Sequence, residues 1–474
     1  MMDELRRFLA SMRPAFSRRA TYGWFVIVFV GFLVRSDTLG VSSIIRALML
    51  APESYAQLLH FFHSTAWTVP GAMALWWAWL KSRDVAHRVG DRVVLLGDHT
   101  KVAKDGRKMP AVATLHQDSE TASKPSFFRG HHWGCIALLV RAGDKFFATP
   151  LWANVQEGLA GVVAHADAKQ PKTTRIVDMA QQVAGTMDCR GYLVLDAYFA
   201  VGSVFQAAAR VVDGGVPLVH VVTRAKKNVV DYQPAPVSKK SKRGRPRKYG
   251  KKLKLMKLFD SKAKAKDFRT AQAVVYDRRE TVRYLVLDLL WKPTKGMLRF
   301  ILVETSRGPM VLISSDLELG PVTALELYCR RVTIETMFNT LKNTLGGMAY
   351  HFWSQYLRPA SRRPKKNAPK RQRSSNRRQT LNTLAAIEKF VNVQLLVLGM
   401  LQLIAKTCPE QVRAKARCWL RTVSSSTPSE FVTRMALVNT IKSNLLSFGK
   451  DWITQLIRAR QEYSKKSGVR KNVA

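Results

Sequence analysis

The amino-acid sequence predicts an α/β protein in which a mostly β insertion interrupts a sheet-forming core and helical regions flank both ends. Three observations support this fold class. Short apolar runs alternate with amphipathic stretches between residues 91 and 223, and further β-like runs follow a basic stretch within 224–320. Both ends of the chain have apolar residues at three- and four-residue spacing. At 474 residues the chain exceeds one ordinary domain, so we expect two or three.

The charge of the chain indicates its partner. Lys and Arg number 77 against 33 Asp and Glu, which gives a formal net charge of +44. An excess of this size needs neutralisation, and a polyphosphate backbone is the usual source. A ribosomal or chromatin-like protein would carry a similar charge, but such chains are shorter and poorer in aromatic residues than this one, with 11 Trp and 21 Phe. We therefore predict nucleic-acid binding.

Several other classes are not favoured. The five cysteines show no CxxC spacing and the ten histidines no HExxH pattern, so we expect no structural zinc and a reducing compartment. The N-terminus does not have the pattern of a signal peptide. The apolar runs at 22–34 and 390–405 are shorter than the ~20 residues that cross a bilayer as a helix, so we predict buried helices, no membrane span and a cytoplasmic location.

Residues 1–88 are predicted to be helical, with breaks at Pro52 and Pro70. Such a domain could bind DNA or serve packing or dimerisation, and periodicity does not choose between these roles. The core that follows is predicted to begin with three strands joined by hairpins, then to alternate helix and strand. The segments are strands at 92–98, 132–140, 145–155, 191–196 and 216–223, and helices at 173–189 and 201–211.

The second half of the chain is predicted to return to helix after the insertion. Within the insertion, residues 281–291, 296–304 and 309–315 have the texture of strands. A helix is expected at about 322–344, followed by a basic loop at 362–378 with nine Lys or Arg and no acid. The remainder, 380–465, is predicted to be helical.

Two acidic residues follow buried strands of the predicted core. Asp98 ends the run RVVLLGD, and Asp196 ends GYLVLD. Carboxylates at the ends of adjacent strands would lie close together, where their oxygens could hold Mg²⁺. Either aspartate could instead cap a helix or turn, which is the commoner role of a single strand-end Asp.

A third acid lies on the helix after the insertion, in the segment LELYCRRVTIETMFNTLKNTLGG. Tyr328, Arg331, Glu335 and Lys342 stand at offsets 0, 3, 7 and 14, which places them within roughly 60° of one another on a helix. One face would then present a carboxylate for metal beside two cations for phosphates. The alternative is an exposed face with an i,i+4 ion pair between Arg331 and Glu335.

These residues resemble the signature of the insertion-sequence-four family of DDE transposases, Tyr-x2-Arg-x3-Glu-x6-Lys. The segments LLGDHT and LVLDAYF, which contain Asp98 and Asp196, resemble the surroundings of the first and second catalytic aspartates of that family. The resemblance extends in order and spacing over residues 90–345. The helical N-terminus and the β insertion are also similar.

The resemblance implies an RNase H-like core and a DNA transposase activity in a bacterial cell. Asp98, Asp196 and Glu335 would be the catalytic, metal-binding triad for two Mg²⁺ or Mn²⁺ ions. Water and then a freed 3′-OH would attack phosphodiesters at the terminal inverted repeats and in the target DNA, within a homodimer on DNA. Arg331 and Lys342 would position phosphates, with Tyr328 beside them.

The implied division of the chain has five parts. Residues 1–88 would bind DNA, 89–223 would form the first part of the core, and 224–320 the insertion. Residues 321–380 would complete the core with the catalytic helix and the basic loop, and 381–474 would form a helical C-terminal region.

Trp291 is the one tryptophan of the insertion. Family members that cut through a DNA hairpin flip a base onto an insertion-domain tryptophan, so Trp291 is the candidate by resemblance. A tryptophan packed in the β core is the alternative. The number of residues between Trp291 and Glu335 does not firmly match the spacing in the family, so hairpin formation stays open.

Basic residues supply candidate DNA contacts. The segment GRPRKYG, at 244–250, resembles the core of AT-hook peptides, which lie in a narrow A·T minor groove. Fifteen Lys or Arg against two Asp between 239 and 269 favour general phosphate contact as the alternative. The candidate residues are Arg243, Arg245, Arg247 and Lys248 here, and Lys101, Lys104, Arg107 and Lys108 after Asp98.

The sequence is therefore compatible with three functions. The first is an active DNA transposase. The second is an RNase H-like nuclease of repair or resolution, which such a large insertion and so many cations disfavour. The third is a DNA-binding protein derived from a transposase that no longer cuts, which intact acids at all three positions disfavour.

Overall fold

The computed structural model describes residues 1–117, 126–159, 170–236, 247–261, 265–360, 374–416 and 427–461. Its central feature is a mixed sheet of thirteen strands among these residues, with helices at both ends of the chain. The predicted α/β class with flanking helical regions is confirmed.

The N-terminal region is helical, as predicted. Helix α2 is apolar over nearly its whole length and is buried on all sides, which explains its lack of an amphipathic pattern. Pro70 stands in the first turn of α5, where a proline costs no hydrogen bond, and Thr68 caps that helix. The elements are α1 Met2–Ser11, a 3₁₀ turn Arg13–Ala15, α2 Arg19–Val34, α3 Ser42–Leu48, α4 Ser54–His63 and α5 Val69–Ser82.

The core strands follow the predicted order. Strands β2, β4 and β5 pair antiparallel, while β6 and β9 run parallel to β2. The helices between the parallel strands provide the crossovers that parallel pairing requires. The elements are β1 Arg88–Val89, β2 Arg92–Ala103, β3 Ala113–His116, β4 Phe127–Ala142, β5 Lys145–Val155, α6 Lys172–Thr186, β6 Gly191–Val194, a 3₁₀ turn Ala197–Phe199, α7 Gly202–Ala208, β7 Val212–Asp213, β8 Val216–Pro217 and β9 Val219–Arg224.

The β insertion continues the same sheet. Strand β15 pairs antiparallel with β9, so the last parallel strand of the core does not leave an open edge. The elements are β10 Val230–Pro234, β11 Tyr249–Lys254, 3₁₀ turns Leu255–Leu258 and Ala265–Asp267, β12 Arg269–Val275, β13 Arg278–Trp291, β14 Gly296–Thr305 and β15 Gly308–Ser314.

The helix predicted at 322–344 is divided. Helix α8 spans Pro321–Arg330, α9 spans Thr333–Asn339, and the last turn is a π-helical turn, Thr340–Thr344. The remaining helices are α10 Arg377–Thr407, α11 Pro409–Ala416, α12 Glu430–Leu446 and α13 Trp452–Gln461. Of the described helices, α10 is long and apolar enough to cross a membrane, but 89% of its apolar stretch is buried inside the protein. It is therefore a core helix.

Polar side chains of α10 explain why this helix lies against β5. In the sheet β5 pairs with β4 along one edge, which leaves the other edge open. Asn392 accepts from the Ala153 amide at 3.1 Å and donates to its carbonyl at 2.8 Å. The Gln402 amide donates to the Ala148 carbonyl at 3.3 Å. The helix thus satisfies backbone groups that an exposed edge strand would offer to another chain.

Candidate active site

The two predicted aspartates lie side by side at neighbouring parallel strands. Leu96 of β2 is in register with Val194 of β6. Asp98 lies two residues further along β2, and Asp196 lies two residues beyond Val194, just after β6 ends. Adjacent strands are about 4.8 Å apart, so the two side chains emerge next to each other. The prediction that Asp98 ends a strand is wrong, because β2 continues to Ala103 through its pairing with β4.

Burial and mutual repulsion define the electrostatics of this pair. Burial, and next the charge of Asp196, raise the pKa of Asp98 to about 7. Burial also raises the pKa of Asp196. Asp98 Oδ1 accepts from the His99 amide at 2.7 Å, and Asp196 Oδ1 accepts from the Tyr198 amide at 2.9 Å. Asp196 therefore caps a turn, the alternative role, while it also stands beside Asp98.

Arg331 joins the third acid to this pair. Its Nη1 donates to Asp98 Oδ2 at 3.2 Å, and its Nη2 donates to Glu335 Oε1 at 2.7 Å. The i,i+4 ion pair considered from the sequence is present, but the same guanidinium also reaches across to β2. Residues 233 positions apart along the chain meet at this point.

The donor set fits a divalent cation. Two carboxylates stand together in a largely buried place, where burial raises the pKa of both and a bound cation would favour their ionised form. Carboxylate oxygens are the ligands that Mg²⁺ and Mn²⁺ prefer. Within the described ranges, no three His, Cys, Asp or Glu side chains are already arranged to hold a metal ion. Glu335 reaches the aspartates through Arg331.

The other two members of the predicted helix face are placed differently. Tyr328 is 8% exposed, and burial raises the pKa of its phenol. Lys342 is half-buried on the π-helical turn, where its Nζ donates to the Lys101 carbonyl at 3.2 Å. This contact connects the end of the helix that carries Glu335 to β2, three residues after Asp98. Tyr328 and Lys342 thus make packing contacts in this conformation.

One candidate DNA contact is corrected by the structure. Lys104 is 7% exposed, and its ammonium donates to the carbonyls of Met348 and Tyr350 and lies 3.8 Å from the centre of the Tyr350 ring. It is therefore a buried packing residue and does not face a phosphate. A sequence pattern cannot distinguish it from its basic neighbours, because its burial is produced by residues more than 240 positions away.

The remaining candidate cations vary in exposure. Arg247 and Lys248 are exposed beside the edge strand β11, while Arg243 and Arg245 lie outside the described residues. Lys101 is half-buried and donates to the His116 carbonyl at 2.8 Å. Arg107 donates through Nε to the Ala360 carbonyl at 3.1 Å, and Lys108 is half-buried in the same loop.

Trp291 lies inside the protein. It is 8% exposed, and its ring meets the Phe205 ring edge-on with centroids 5.5 Å apart. This is the packed position that the sequence offered as the alternative. Its role as an acceptor for a flipped base stays a prediction, which would require the ring to become accessible.

A network of side chains beside the aspartates did not emerge from the sequence. The His99 and His132 rings lie 4.7 Å apart, and Glu157 contacts both His132, at 3.2 Å, and Lys172. The Lys172 ammonium lies 5.8 Å from the centre of the Tyr198 ring. Adjacency to the two aspartates could have drawn attention to His99 and Tyr198. The other members come from separate elements and have no shared motif.

Fold and site together define an α/β protein that carries a carboxylate pair suited to divalent cations. A family model for DDE superfamily endonucleases matches residues 11–285, more than half of the chain. The chain therefore belongs to the DDE superfamily of endonucleases. These enzymes act on DNA and typically use divalent metal ions. Compared with proteins of curated function, the chain shows no match.

The matched range has a consequence for the site. It includes Asp98 and Asp196 and ends before Glu335. Superfamily membership is thus shown by the part of the chain that contains the two aspartates and not by the part that contains Glu335. The assignment of the third acid depends on the contacts of Arg331.

Proposed function

We propose that the protein is a DNA transposase that cleaves DNA at the ends of an insertion sequence and transfers the freed 3′-OH into target DNA. The observation that carries this proposal is the meeting of Asp98, Asp196 and Arg331 with Glu335 at one point of the sheet. Superfamily membership supports a DNA-cutting activity. The Tyr-Arg-Glu-Lys spacing supports the finer assignment to the insertion-sequence-four family.

The strand arrangement supports an RNase H-like core. In the order β5, β4, β2, β6 and β9, the first three strands are antiparallel and the last two run parallel to β2. This is the order and direction of the strands in an RNase H-like sheet. The first acid then lies on the central strand β2 and the second directly after its parallel neighbour β6.

We assign the metal ligands as Asp98, Asp196 and Glu335. Two Mg²⁺ or Mn²⁺ ions bound there would supply activation of the attacking oxygen and stabilisation of the leaving oxygen. Asp98 and Asp196 would provide the fixed part of the site, since both are held by backbone amides. Glu335 is 55% exposed and can turn toward the pair when Arg331 releases it. Arg331 would then be free to hold a DNA phosphate.

The partner in this proposal is double-stranded DNA, namely the terminal inverted repeats and the target. The net charge of +44 supports tight contact with the phosphate backbone. Two ends must be brought together for transposition, so we propose a homodimer on DNA. The five-part division of the chain remains part of the same proposal.

The decisive experiment measures nicking of DNA that carries the element's own ends. Asp98→Ala, Asp196→Ala and Glu335→Ala should each abolish Mg²⁺-dependent nicking while leaving binding of the ends within about threefold, because phosphate contacts provide most of the affinity. Asp277→Ala is the matched control, since this carboxylate is 96% exposed and distant in sequence from all three acids.

Each alternative function has a distinct outcome. Nicking that persists in any of the three variants contradicts the triad. Binding of the ends without nicking by the parent protein, with Mg²⁺ or Mn²⁺ present, would favour a transposase-derived DNA-binding protein. Cleavage of branched DNA in preference to the inverted repeats would favour a repair or resolution nuclease.

A further inference from the structure

Arg35, which is buried, and Arg434, which is half-buried, meet the end of the helix that carries Glu335. The helix that carries Glu335 ends in the π-helical turn Thr340–Thr344, and its last carbonyls have no partner within the helix. The carbonyls of Thr344, at its end, and of Leu345 and Gly346, just after it, accept hydrogen bonds from guanidinium groups of the N- and C-terminal regions. Here the pair Arg35 and Arg434 is called the arginine clamp.

Arg35 comes from the N-terminal region, directly after α2. Its Nη2 donates to the Leu345 carbonyl at 2.6 Å and to the Gly346 carbonyl at 2.9 Å. Its Nη1 donates to Ser43 Oγ at 3.0 Å, and the guanidinium lies 4.7 Å from the centre of the Phe32 ring. At 1% exposure, Arg35 is part of the protein interior.

Arg434 comes from α12, in the C-terminal region. Its Nη1 donates to the Thr344 carbonyl and its Nε to the Leu33 carbonyl, both at 2.9 Å. Its Nη2 donates to the carbonyl of Arg35 itself. The clamp thus connects three segments, residues 33–35, 344–346 and 434, that lie far apart in sequence.

The approach at Gly346 is close. This residue has a φ of +63°, and a Cβ there would lie 2.3 Å from Thr38 Cγ2 and 2.9 Å from Arg35 Nη2. Glycine is therefore required by both conformation and space. The N-terminal helical region and the end of the helix that carries Glu335 are therefore in close contact at a position where only glycine fits.

Two charged side chains are an energetically unfavourable way to cap a helix in the protein interior. In the described part of the chain, all hydrogen bonds of the two guanidiniums go to carbonyls or to a serine hydroxyl, and none goes to a carboxylate. Burial, and next the charge of Arg434, lower the pKa of Arg35 to about 10. A buried and a half-buried cation that repel one another cost stability, although the negative end of the helix dipole offsets part of this cost. Neutral donors would cap the same carbonyls at lower cost.

We propose that Arg35 and Arg434 are positioning residues for the cleavage reaction, through which the N- and C-terminal helical regions set where Glu335 and Lys342 stand relative to Asp98. The inference rests on the proposed function. The catalytic helix is fixed near its start by the contact of Arg331 with Asp98, while the clamp fixes its end. Release of the clamp would let the helix shift, and a shift of about 1 Å at a catalytic group can cost on the order of a hundredfold in rate.

The test uses Arg434→Gln and Arg35→Gln in the full chain, with Lys389→Gln as the matched control. Lys389 is also a buried cation that donates to a backbone carbonyl, that of Ser64 at 2.6 Å, and no hydrogen bond in the described part of the chain joins it to the helix that carries Glu335. Glutamine is shorter and has fewer donors than the cations it replaces, so it leaves carbonyls without a partner, and all three variants should lower the melting temperature. The comparison is made on folded protein, at equal distance below each variant's melting temperature.

Two measurements separate positioning from simple loss of stability. Amide hydrogen exchange in residues 333–345 should become about tenfold faster or more in the clamp variants and stay within about twofold of the parent in Lys389→Gln. Nicking with Mn²⁺ should slow by about tenfold or more per folded molecule, with KM for DNA nearly unchanged and more Mn²⁺ needed for half the maximal rate. Arg434→Lys should recover part of the rate, because lysine can still donate to the Thr344 carbonyl.

The outcomes distinguish this inference from the proposed function. Equal effects in Arg434→Gln and Lys389→Gln, or unchanged exchange at 333–345 in both clamp variants, overturn the inference. If the parent protein fails to nick DNA, the proposed function falls, and the catalytic part of this inference falls with it. The exchange measurement would still decide whether the clamp holds the helix.

Discussion

At the scale of single residues, three buried or partly buried aspartates have a raised pKa. Two of them, Asp98 and Asp196, belong to the candidate site, and the third, Asp231, lies outside it. Asp98 and Asp196 are raised in pKa by burial, and they stand where a divalent cation would neutralise them. Arg331 supplies a positive charge to the same place. The Arg331 guanidinium therefore lies between Asp98 and Glu335, two of the three acids of the proposed site.

Asp231 is a buried acid of a different kind. It lies on β10, is fully buried, and neither carboxylate oxygen has a hydrogen-bond partner among the described residues. Burial raises its pKa to about 7 from 3.8. At this residue the folded state binds a proton more tightly than the unfolded state, so the contribution of Asp231 to stability is fully present below about pH 4 and is lost as the pH rises toward 7.

Asp231→Asn should remove this pH dependence. A difference of about three pKa units corresponds to about 4 kcal/mol between the two protonation states, so the variant should gain up to about that much relative to the parent between pH 4 and pH 8. Chemical unfolding at both pH values measures the difference. A variant that gains no stability relative to the parent over this range would show that Asp231 finds a partner when ionised.

At the scale of elements, the contact of α10 with β5 and α5 organises the helical half of the protein. The indole nitrogens of Trp76 and Trp77 donate to the Pro150 and Leu151 carbonyls of β5, at 2.8 and 3.0 Å. The Trp76 ring also packs over Gly399 of α10, where a Cβ would lie 2.4 Å from Trp76 Cζ2. Glycine at this position lets the two helices and the strand edge meet.

Gly399→Ala should therefore destabilise the protein by about 1–3 kcal/mol, because an added methyl group overpacks a ring that is fixed by its hydrogen bond. Gly23→Ala in α2 is the control, since its Cβ would have only ordinary contact, 3.7 Å from Leu456. Alanine is the better helix former by about 1 kcal/mol, so the control should be neutral or stabilising. Thermal unfolding of both variants reports the sign. Equal effects would contradict the packing argument.

At the scale of the whole molecule, the sheet spans core and insertion, and basic residues collect at its outer edge. The edge strand β11 exposes Lys251, Lys252 and Lys254, next to the exposed Arg247 and Lys248. An edge strand rich in lysine resists pairing with other chains and presents charge to a phosphate backbone. The basic composition of the insertion is therefore displayed on a surface that DNA could contact.

The affinity for DNA should fall steeply with salt, and this edge should account for part of the slope. Replacing Lys251, Lys252 and Lys254 together by Ala should make the plot of log K against log salt shallower by about two to three, because each phosphate contact contributes about 0.9. The control replaces two exposed lysines of the C-terminal region, Lys415 and Lys442, which lie outside the insertion. An unchanged slope in the triple variant would place the DNA elsewhere.

Most of the element order could be predicted from the sequence, because hydrophobic periodicity is a local property. The helical ends, the antiparallel opening of the sheet and the strands of the insertion all follow from it. The extent of β2 could not, because residues beyond Asp98 become a strand through pairing with β4. The break at Arg331–Val332 was also missed, since helical spacing continues through it.

The sequence by itself determined the residue types available for chemistry: three acids after apolar or helical segments, a Tyr-Arg-Glu-Lys spacing and a large excess of cations. Only the tertiary structure decided which of them meet. Lys104 and Trp291 became packing residues, and Arg331 came to join Glu335 to Asp98. Arg35 and Arg434, from the two helical regions, came to donate to the carbonyls that end the helix carrying Glu335. The physical reason is that burial and hydrogen bonding depend on neighbours in space, and here those neighbours lie hundreds of residues apart in sequence.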